Sequence, residues 1–179
     1  MMKLIPLTLH DAQTARHWRN GCREALRTPF LLTEKQQEEF YNSLSGNARV
    51  RYWGIEINGE MGGMGGLTGI EWENRIAEIS LIIDPVLRGK GYGTKAAELI
   101  LHEGFGNMNL ANIYGECYEC NEAIRFWRKV CLKYGAYTTL LPFRKFWDGR
   151  YYDSLYFSIR GDTFGLNGDQ KQGNGKNGH

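Results

Sequence analysis

Residues 2–9 alternate apolar and polar side chains with the period of two expected of a strand. Thr8 to Asp11 then offer capping side chains for a helix through Ala15, Trp18 and Arg19. The pattern breaks at Pro29. Thr33-Glu34-Lys35-Gln36 next has the form of a capping box, opening a second helix through Phe40, Tyr41 and Leu44 that Ser45-Gly46-Asn47 ends. Two strand-like runs follow at 50–57 and 60–70, joined by Asn58-Gly59, the strongest short-range signal for a tight hairpin. Glu73-Asn74-Arg75 turns the chain into a third run, 76–84, which Pro85 stops, so these runs predict an antiparallel meander. Beyond a glycine-rich segment the period changes: over 94–105, Ala97, Leu101 and Phe105 recur at helical spacing with Ala96 and Ile100 beside them. A strand at 113–118, a helix at 121–134 and a strand at 151–159 complete the order β-α-α-β-β-β-α-β-α-β. That order predicts a mixed α/β (α+β) fold, with one mostly antiparallel central sheet flanked by helices.

A chain of 179 residues, 42% hydrophobic and 13% aromatic, is enough for one domain with a real core. Residues 1–160 read as that domain. Residues 161–179 are rich in Gly, Asn, Asp, Gln and Lys, with only Phe164 and Leu166 as sizeable apolar side chains, and read as a disordered tail.

Charge narrows the function classes. With 22 Lys+Arg against 20 Asp+Glu, the net charge of +2 does not describe a surface built for nucleic acid or anionic membrane, so an anion site must be local. No apolar run approaches the ~18–20 residues of a membrane span, and Met1 to Pro6 lacks the long apolar region of a signal peptide, which makes the cytoplasm the expected location. Cys22, Cys117, Cys120 and Cys131 read as reduced thiols. Cys117 and Cys120 form a C-x-x-C, but without a second Cys or His pair it is a weak zinc signal, and His10, His17, His102 and His179 show no metal-ligand spacing. No metal is expected.

The chemistry concentrates in Arg88-Gly89-Lys90-Gly91-Tyr92-Gly93-Thr94, between a strand and the start of a helix, where backbone N–H groups point at a bound anion. The glycines let the main chain approach an anion closely, and Arg88 and Lys90 add positive charge, so a pyrophosphate would fit. The segment is not a P-loop, and a dinucleotide-binding unit would need a parallel pair where this sequence has a hairpin. Gly62-Gly63-Met64-Gly65-Gly66 falls inside a predicted strand, where glycine marks a bulge or close packing.

From Asp84 to Thr94 the chain resembles the acetyl-CoA signature of the GNAT superfamily, R/Q-x-x-G-x-G/A after a strand and opening a helix, with Ile83 in place of a common Val. The resemblance extends over roughly residues 2–160. Trp18-Arg19-Asn20 and Trp147-Asp148-Gly149-Arg150-Tyr151-Tyr152-Asp153-Ser154 are similar to the branch of ribosomal-protein, spermidine and amino-sugar acetyltransferases. The resemblance implies an N-acetyltransferase that moves an acetyl group from acetyl-CoA to a primary amine by direct attack, with no covalent acyl-enzyme. The acceptor would be a small molecule, an amino sugar or a protein N-terminus. It also implies that Leu81, Ile82 and Ile83 pair with the pantetheine arm and present a backbone N–H to the thioester oxygen, while the amides of Arg88 to Thr94 hold the pyrophosphate.

By the same resemblance Glu116, or Glu78 on the preceding strand, accepts the amine proton. Asn121 matches a cofactor-contacting Asn, although Ala123 follows one residue too soon and Cys120 would restore the spacing. The family's acid tyrosine is replaced by Trp127, whose indole cannot serve. Tyr134 has the hydroxyl but not the spacing. Phe126, Trp127, Phe143, Phe146, Trp147, Tyr151 and Tyr152 read mainly as packing, with a substrate cleft as the other use.

Two other functions stay open at this point. One is a CoA-binding regulatory module, with Trp127 marking lost activity. The other is a nucleic-acid-binding or nucleic-acid-modifying protein, motivated by Arg144, Lys145 and Arg150 among aromatics, which the near-neutral charge weighs against. The oligomeric state is left open, a homodimer being one option.

Overall fold

The computed structural model describes residues 1–27 and 30–168, with side chains to residue 165. The break expected at Pro29 lies outside the described residues, as does the part of the expected tail beyond residue 168. Seven strands form one sheet: β1 (Met2–Pro6), β2 (Arg51–Ile57), β3 (Glu60–Glu71), β4 (Ile76–Ile83), β5 (Asn112–Tyr118), β6 (Tyr137–Trp147) and β7 (Arg150–Arg160). Their spatial order is β1-β2-β3-β4-β5-β7-β6, and every pair is antiparallel except β4 with β5. The mixed, mostly antiparallel architecture read from the sequence is the one observed.

Helices α1 (Leu9–Asn20) and α2 (Glu34–Ser43) both begin with a capping box, Thr33 with Gln36 as expected and Thr8 with Asp11 where capping side chains were expected, each pair satisfying two amides that would otherwise be unpaired. The Asn58-Gly59 hairpin forms with both residues at positive φ, 55° and 95°, the geometry that keeps the strand twist continuous. The glycine run lies in β3, with a register shift opposite Ile55 and Glu56. A Cβ on Gly66 would sit 2.1 Å from the Arg51 carbonyl oxygen, so neighbouring backbone fills that space.

Helix α3 (Tyr92–His102) carries the chain from β4 over to β5, which makes that pair parallel. Ala97, Ile100 and Leu101 of α3, with Trp127 and Val130 of α4 (Ile124–Tyr134), pack on Leu67, Ile79, Ile113 and Phe157 of the sheet to form the main core. Side chains alternate across a strand, so Glu78, Tyr114 and Glu116 face the other side.

Strands β4 and β5 pair only through Ile76–Asn112, Ala77–Ile113 and Glu78–Tyr114. Beyond Glu78, β4 stays with β3 while β5 continues with β7, and the sheet opens into a fork.

Two features depart from the sequence reading. β6 was not expected: Pro142 removes a backbone donor, and the strand accommodates it in a bulge between Leu141 and Lys145, with Phe143 at φ 55°. The Asp148-Gly149 pair that closes the β6–β7 hairpin, at φ 47° and 77°, was the available signal. The second correction concerns the tail. Residues Gly161–Gly168 form helix α5, because Phe164, 6% exposed, inserts among His102, Phe105 and Tyr134.

Candidate active site

A cavity of about 540 Å³ runs through the fork. Leu81, Ile82 and Ile83 form its β4 wall, past the last residue paired with β5, so their backbone groups on that side have no strand partner. Arg88, Gly89, Gly91, Gly93 and Thr94 line the next stretch, and Asn121 faces them from the segment after β5. Nine of the eleven residues suggested for the cofactor therefore come together in one cavity. Lys90 is exposed and is not part of the wall, and Tyr92 packs on the small apolar cluster of Ile55, Ile57, Ile83 and Ala96.

The loop has the properties of an anion cradle. Gly91 caps α3 at φ 83° without a side-chain bond, and the first helical bond runs from Lys95 N to Gly91 O, which leaves the amides of the first turn to an external acceptor. Gly89 and Gly91 have open space where a Cβ would lie, so positive φ, and not crowding, is what requires glycine there. Arg125 and Lys129, one turn apart on α4, join Arg88 in the wall. Sequence reasoning missed these two cations, although their i,i+4 spacing was a usable signal. Three cations beside an open helix N-terminus fit the phosphates of a coenzyme A, and the unpaired β4 backbone at the fork fits an extended arm with amide groups.

The opposite wall also eluded the sequence. It comes from Cys22 and the 3-10 turn Arg23–Ala25 with Leu26, tethered by three bonds: Cys120 Sγ donates to Glu24 O at 3.3 Å, and the buried Lys145 ammonium donates to the carbonyls of Arg23 and Leu26. Asn121 Oδ1 accepts from Ala123 N at 2.9 Å, which fixes the turn into α4. Trp127 stacks on Phe157 at 4.8 Å between ring centres and lines the cavity.

On the α1 side of the fork lie the two candidate proton acceptors. Glu78 is the last β4 residue paired with β5, and Glu116 lies two residues past Tyr114 on β5. Arg144 Nε donates to Glu116 Oε1 at 2.8 Å and Ser154 Oγ donates to the same oxygen at 2.6 Å. The Arg144 contact, opposed by burial and reinforced by Ser154, holds the Glu116 carboxyl below its ordinary pKa. Arg27 grips Glu78 through both terminal guanidinium nitrogens, Nη1 and Nη2, and lies 3.5 Å from Glu116. Burial pushes the Tyr114, Tyr118 and Tyr156 phenols around these carboxylates upward, so they stay neutral near pH 7.

Tyr134 stands apart. It is 5% exposed, packs on Phe164 at 4.8 Å between ring centres, and takes no part in the cavity wall, so the structure places it in the core and not beside the other site residues. Burial pushes Cys117 up to about 12 and Cys131 to about 11, which keeps both as neutral thiols and removes them as nucleophiles. Of the cations that motivated a nucleic-acid surface, Arg144 is bound to Glu116, Lys145 is buried, and Arg150 stacks on Tyr152 at 4.5 Å. Among the described residues no group of three or more His, Cys, Asp or Glu could hold a metal, and no helix is long and apolar enough to cross a membrane.

Comparison with known proteins agrees with this geometry. The spermidine N(1)-acetyltransferase of Escherichia coli K12 is 30% identical over 122 residues, which is 68% of this chain and 61% of that protein's length. The alignment thus spans less than two thirds of that relative. The crystal structure of spermidine N-acetyltransferase from Vibrio cholerae in complex with CoA and spermine superposes with a TM-score of 0.81 at 23% identity, over 91% of this chain and 97% of the other. A dodecameric structure of the Vibrio cholerae enzyme gives 0.79 at 24% identity, over 94% and 98%. At that identity the structures speak for the fold. The model of the acetyltransferase (GNAT) domain matches residues 2–136, most of the chain and all of the fork, and this protein therefore belongs to the GNAT acetyltransferase family.

Proposed function

We propose that this protein is an acetyl-CoA-dependent N-acetyltransferase acting on a primary amine. The observation that carries the reading is the fork: β4 and β5 part after Glu78, and the gap is lined on one side by unpaired β4 backbone and at one end by an uncapped, glycine-lined helix start with three cations. Acetyl-CoA bound there supplies an activated acyl group. In this reading the amides of Arg88 to Thr94 with Arg88, Arg125 and Lys129 bind phosphates, and the free backbone groups of Leu81 to Ile83 orient the arm. A backbone N–H in that stretch meets the negative charge that develops on the carbonyl oxygen.

The chain's remaining work is to position the amine and take its proton. A primary amine is mostly protonated near neutral pH, and Glu116, kept ionised by Arg144 and Ser154, attracts it and accepts its proton through water. Glu78 adds a second negative charge at the apex of the fork. Trp127 offers no acidic proton at the family's tyrosine position, so no side-chain acid is assigned there. The spermidine acetyltransferase relatives support a polyamine as acceptor, and the paired carboxylates on the acceptor side are chemically suited to one.

The test is incubation with acetyl-CoA and a panel of polyamines, amino sugars and N-terminal peptides, read by thiol release and by the mass of one added acetyl group. Transfer to at least one amine is expected. Coenzyme A binding without transfer to any of them would leave a regulatory module as the better reading.

A further inference from the structure

The acceptor side of the fork already contains a cation. Arg27 Nη1 donates to Glu78 Oε2 at 3.1 Å, Nη2 reaches Glu78 Oε1, and Nη2 lies 3.5 Å from Glu116 Oε2. One guanidinium therefore spans the point at which β4 and β5 separate. The carboxylates belong to the sheet, with Glu116 7% and Glu78 19% exposed, whereas the Arg27 side chain is 61% exposed and comes from the segment following the 3-10 turn. Leu26, the preceding residue, lines the cavity, so Arg27 sits at its edge.

We propose that Arg27 is a resident surrogate for a cationic group of the acceptor, holding Glu78 and Glu116 until an amine with a second positive charge displaces it. The inference rests on the acetyltransferase reading for the identity of the acceptor side. Three features make displacement cheap. Ion pairs open to water are weak and salt-sensitive, and this one is open on the arginine's side. Glu116 keeps Arg144 and Ser154 as partners when Arg27 leaves, so the carboxylate is not orphaned in a buried position. The surrounding Tyr114, Tyr118 and Tyr156 are neutral aromatic groups, whose faces attract an ammonium as well as a guanidinium. Arg27 would act as a specificity residue. An acceptor whose second charge must take the carboxylates from Arg27 has its affinity reduced by the fraction of molecules in which Arg27 holds them, whereas a monoamine that leaves the ion pair in place does not.

The experiment is calorimetric titration of the coenzyme A-bound protein with 1,4-diaminobutane and with n-butylamine, a monoamine of equal length, comparing the natural chain with Arg27→Ala and Arg27→Gln. Both variants are expected to bind the diamine roughly five- to tenfold more tightly and the monoamine within about twofold, and adding Glu78→Gln is expected to erase the gain. Diamine affinity that stays the same or falls in the variant that keeps the natural melting temperature overturns the proposal, as does an equal gain for both amines. Because binding is read without turnover, the two readings fail separately. Tighter diamine binding with no acetyl transfer counts against the enzyme reading alone, and transfer with no gain in affinity counts against the Arg27 role alone.

Discussion

Ser154 on β7 and Glu116 on β5 meet diagonally across the strand pair, with the serine hydroxyl donating to Glu116 Oε1 at 2.6 Å in a place where the serine has no exposure to solvent. The hydroxyl favours the ionised carboxyl and adds to the larger effect of Arg144. Because the folded pKa of Glu116 is depressed, its ionisation stabilises the fold above the ordinary carboxylate pKa of about 4.3, and that stabilisation is lost as pH falls through the folded value. Ser154→Ala is expected to raise the Glu116 pKa toward the ordinary value and to destabilise the protein by about 1–2 kcal/mol at pH 7. The deficit should shrink once the pH is low enough to protonate Glu116. Urea unfolding at neutral and acid pH, with a carboxyl NMR titration, reads both effects, and an unmoved pKa would show that the hydroxyl does not tune this group.

Gly91 tests the anion cradle. An added Cβ would meet nothing within 4 Å, so Gly91→Ala carries only the left-handed backbone penalty, about 1–2 kcal/mol. Gly91→Glu adds a negative charge at the helix start, where the dipole and Arg88 favour an anion. Coenzyme A affinity measured by calorimetry is expected to fall more than tenfold for Glu and severalfold or less for Ala. Equal affinities for the two variants would remove the loop from the phosphate site.

The contrast between the two halves of the cavity shows what was legible in the sequence. Gly89, Gly91 and Gly93 advertise themselves because a local geometric need selects a residue type, and local needs are written in consecutive letters. The capping side chains at Thr8 and the capping box at Thr33 were readable for the same reason. Leu26 and Lys145 were not: the bonds from Lys145 to the carbonyls of Leu26 and Arg23 connect positions more than a hundred residues apart, and nothing in their neighbours' sequence encodes the pairing. Glu78 and Glu116 could be picked as carboxylates at strand positions. That one arginine holds both follows only from the fork, which is a property of sheet order.

Trp127 separates packing from catalysis. It stacks on Phe157 and Phe126 and is 8% exposed, and its indole N–H is no proton donor to a thiolate at working pH. Trp127→Phe keeps an apolar ring in the site and is expected to lower stability by roughly 1–3 kcal/mol, with kcat held within about threefold. A hundredfold fall in kcat at unchanged KM, in protein shown to be folded, would mean that the indole acts on the reaction itself.

Phe164 tests whether the chain beyond β7 belongs to the domain. Its ring meets His102 at 4.8 Å, Phe105 at 5.1 Å and Tyr134 at 4.8 Å between centres, so one side chain of α5 joins the end of α3, the π-helical turn Glu103–Asn107 and the end of α4. Phe164→Ala removes the ring from that junction and is expected to cost about 3–5 kcal/mol. At this chain length such a loss lowers the melting temperature by roughly 6–20 °C. Leu132→Ala is the control. Leu132 is a large apolar residue on α4 but 86% exposed, and its truncation is expected to change stability by no more than about 0.5 kcal/mol. If both variants melt with the natural chain, Phe164 contributes nothing to the core in solution, and the compositional reading of residues 161–168 as tail is the correct one. If only Phe164→Ala melts early, the domain extends through α5, and a chain ended at Arg160 should show the same loss.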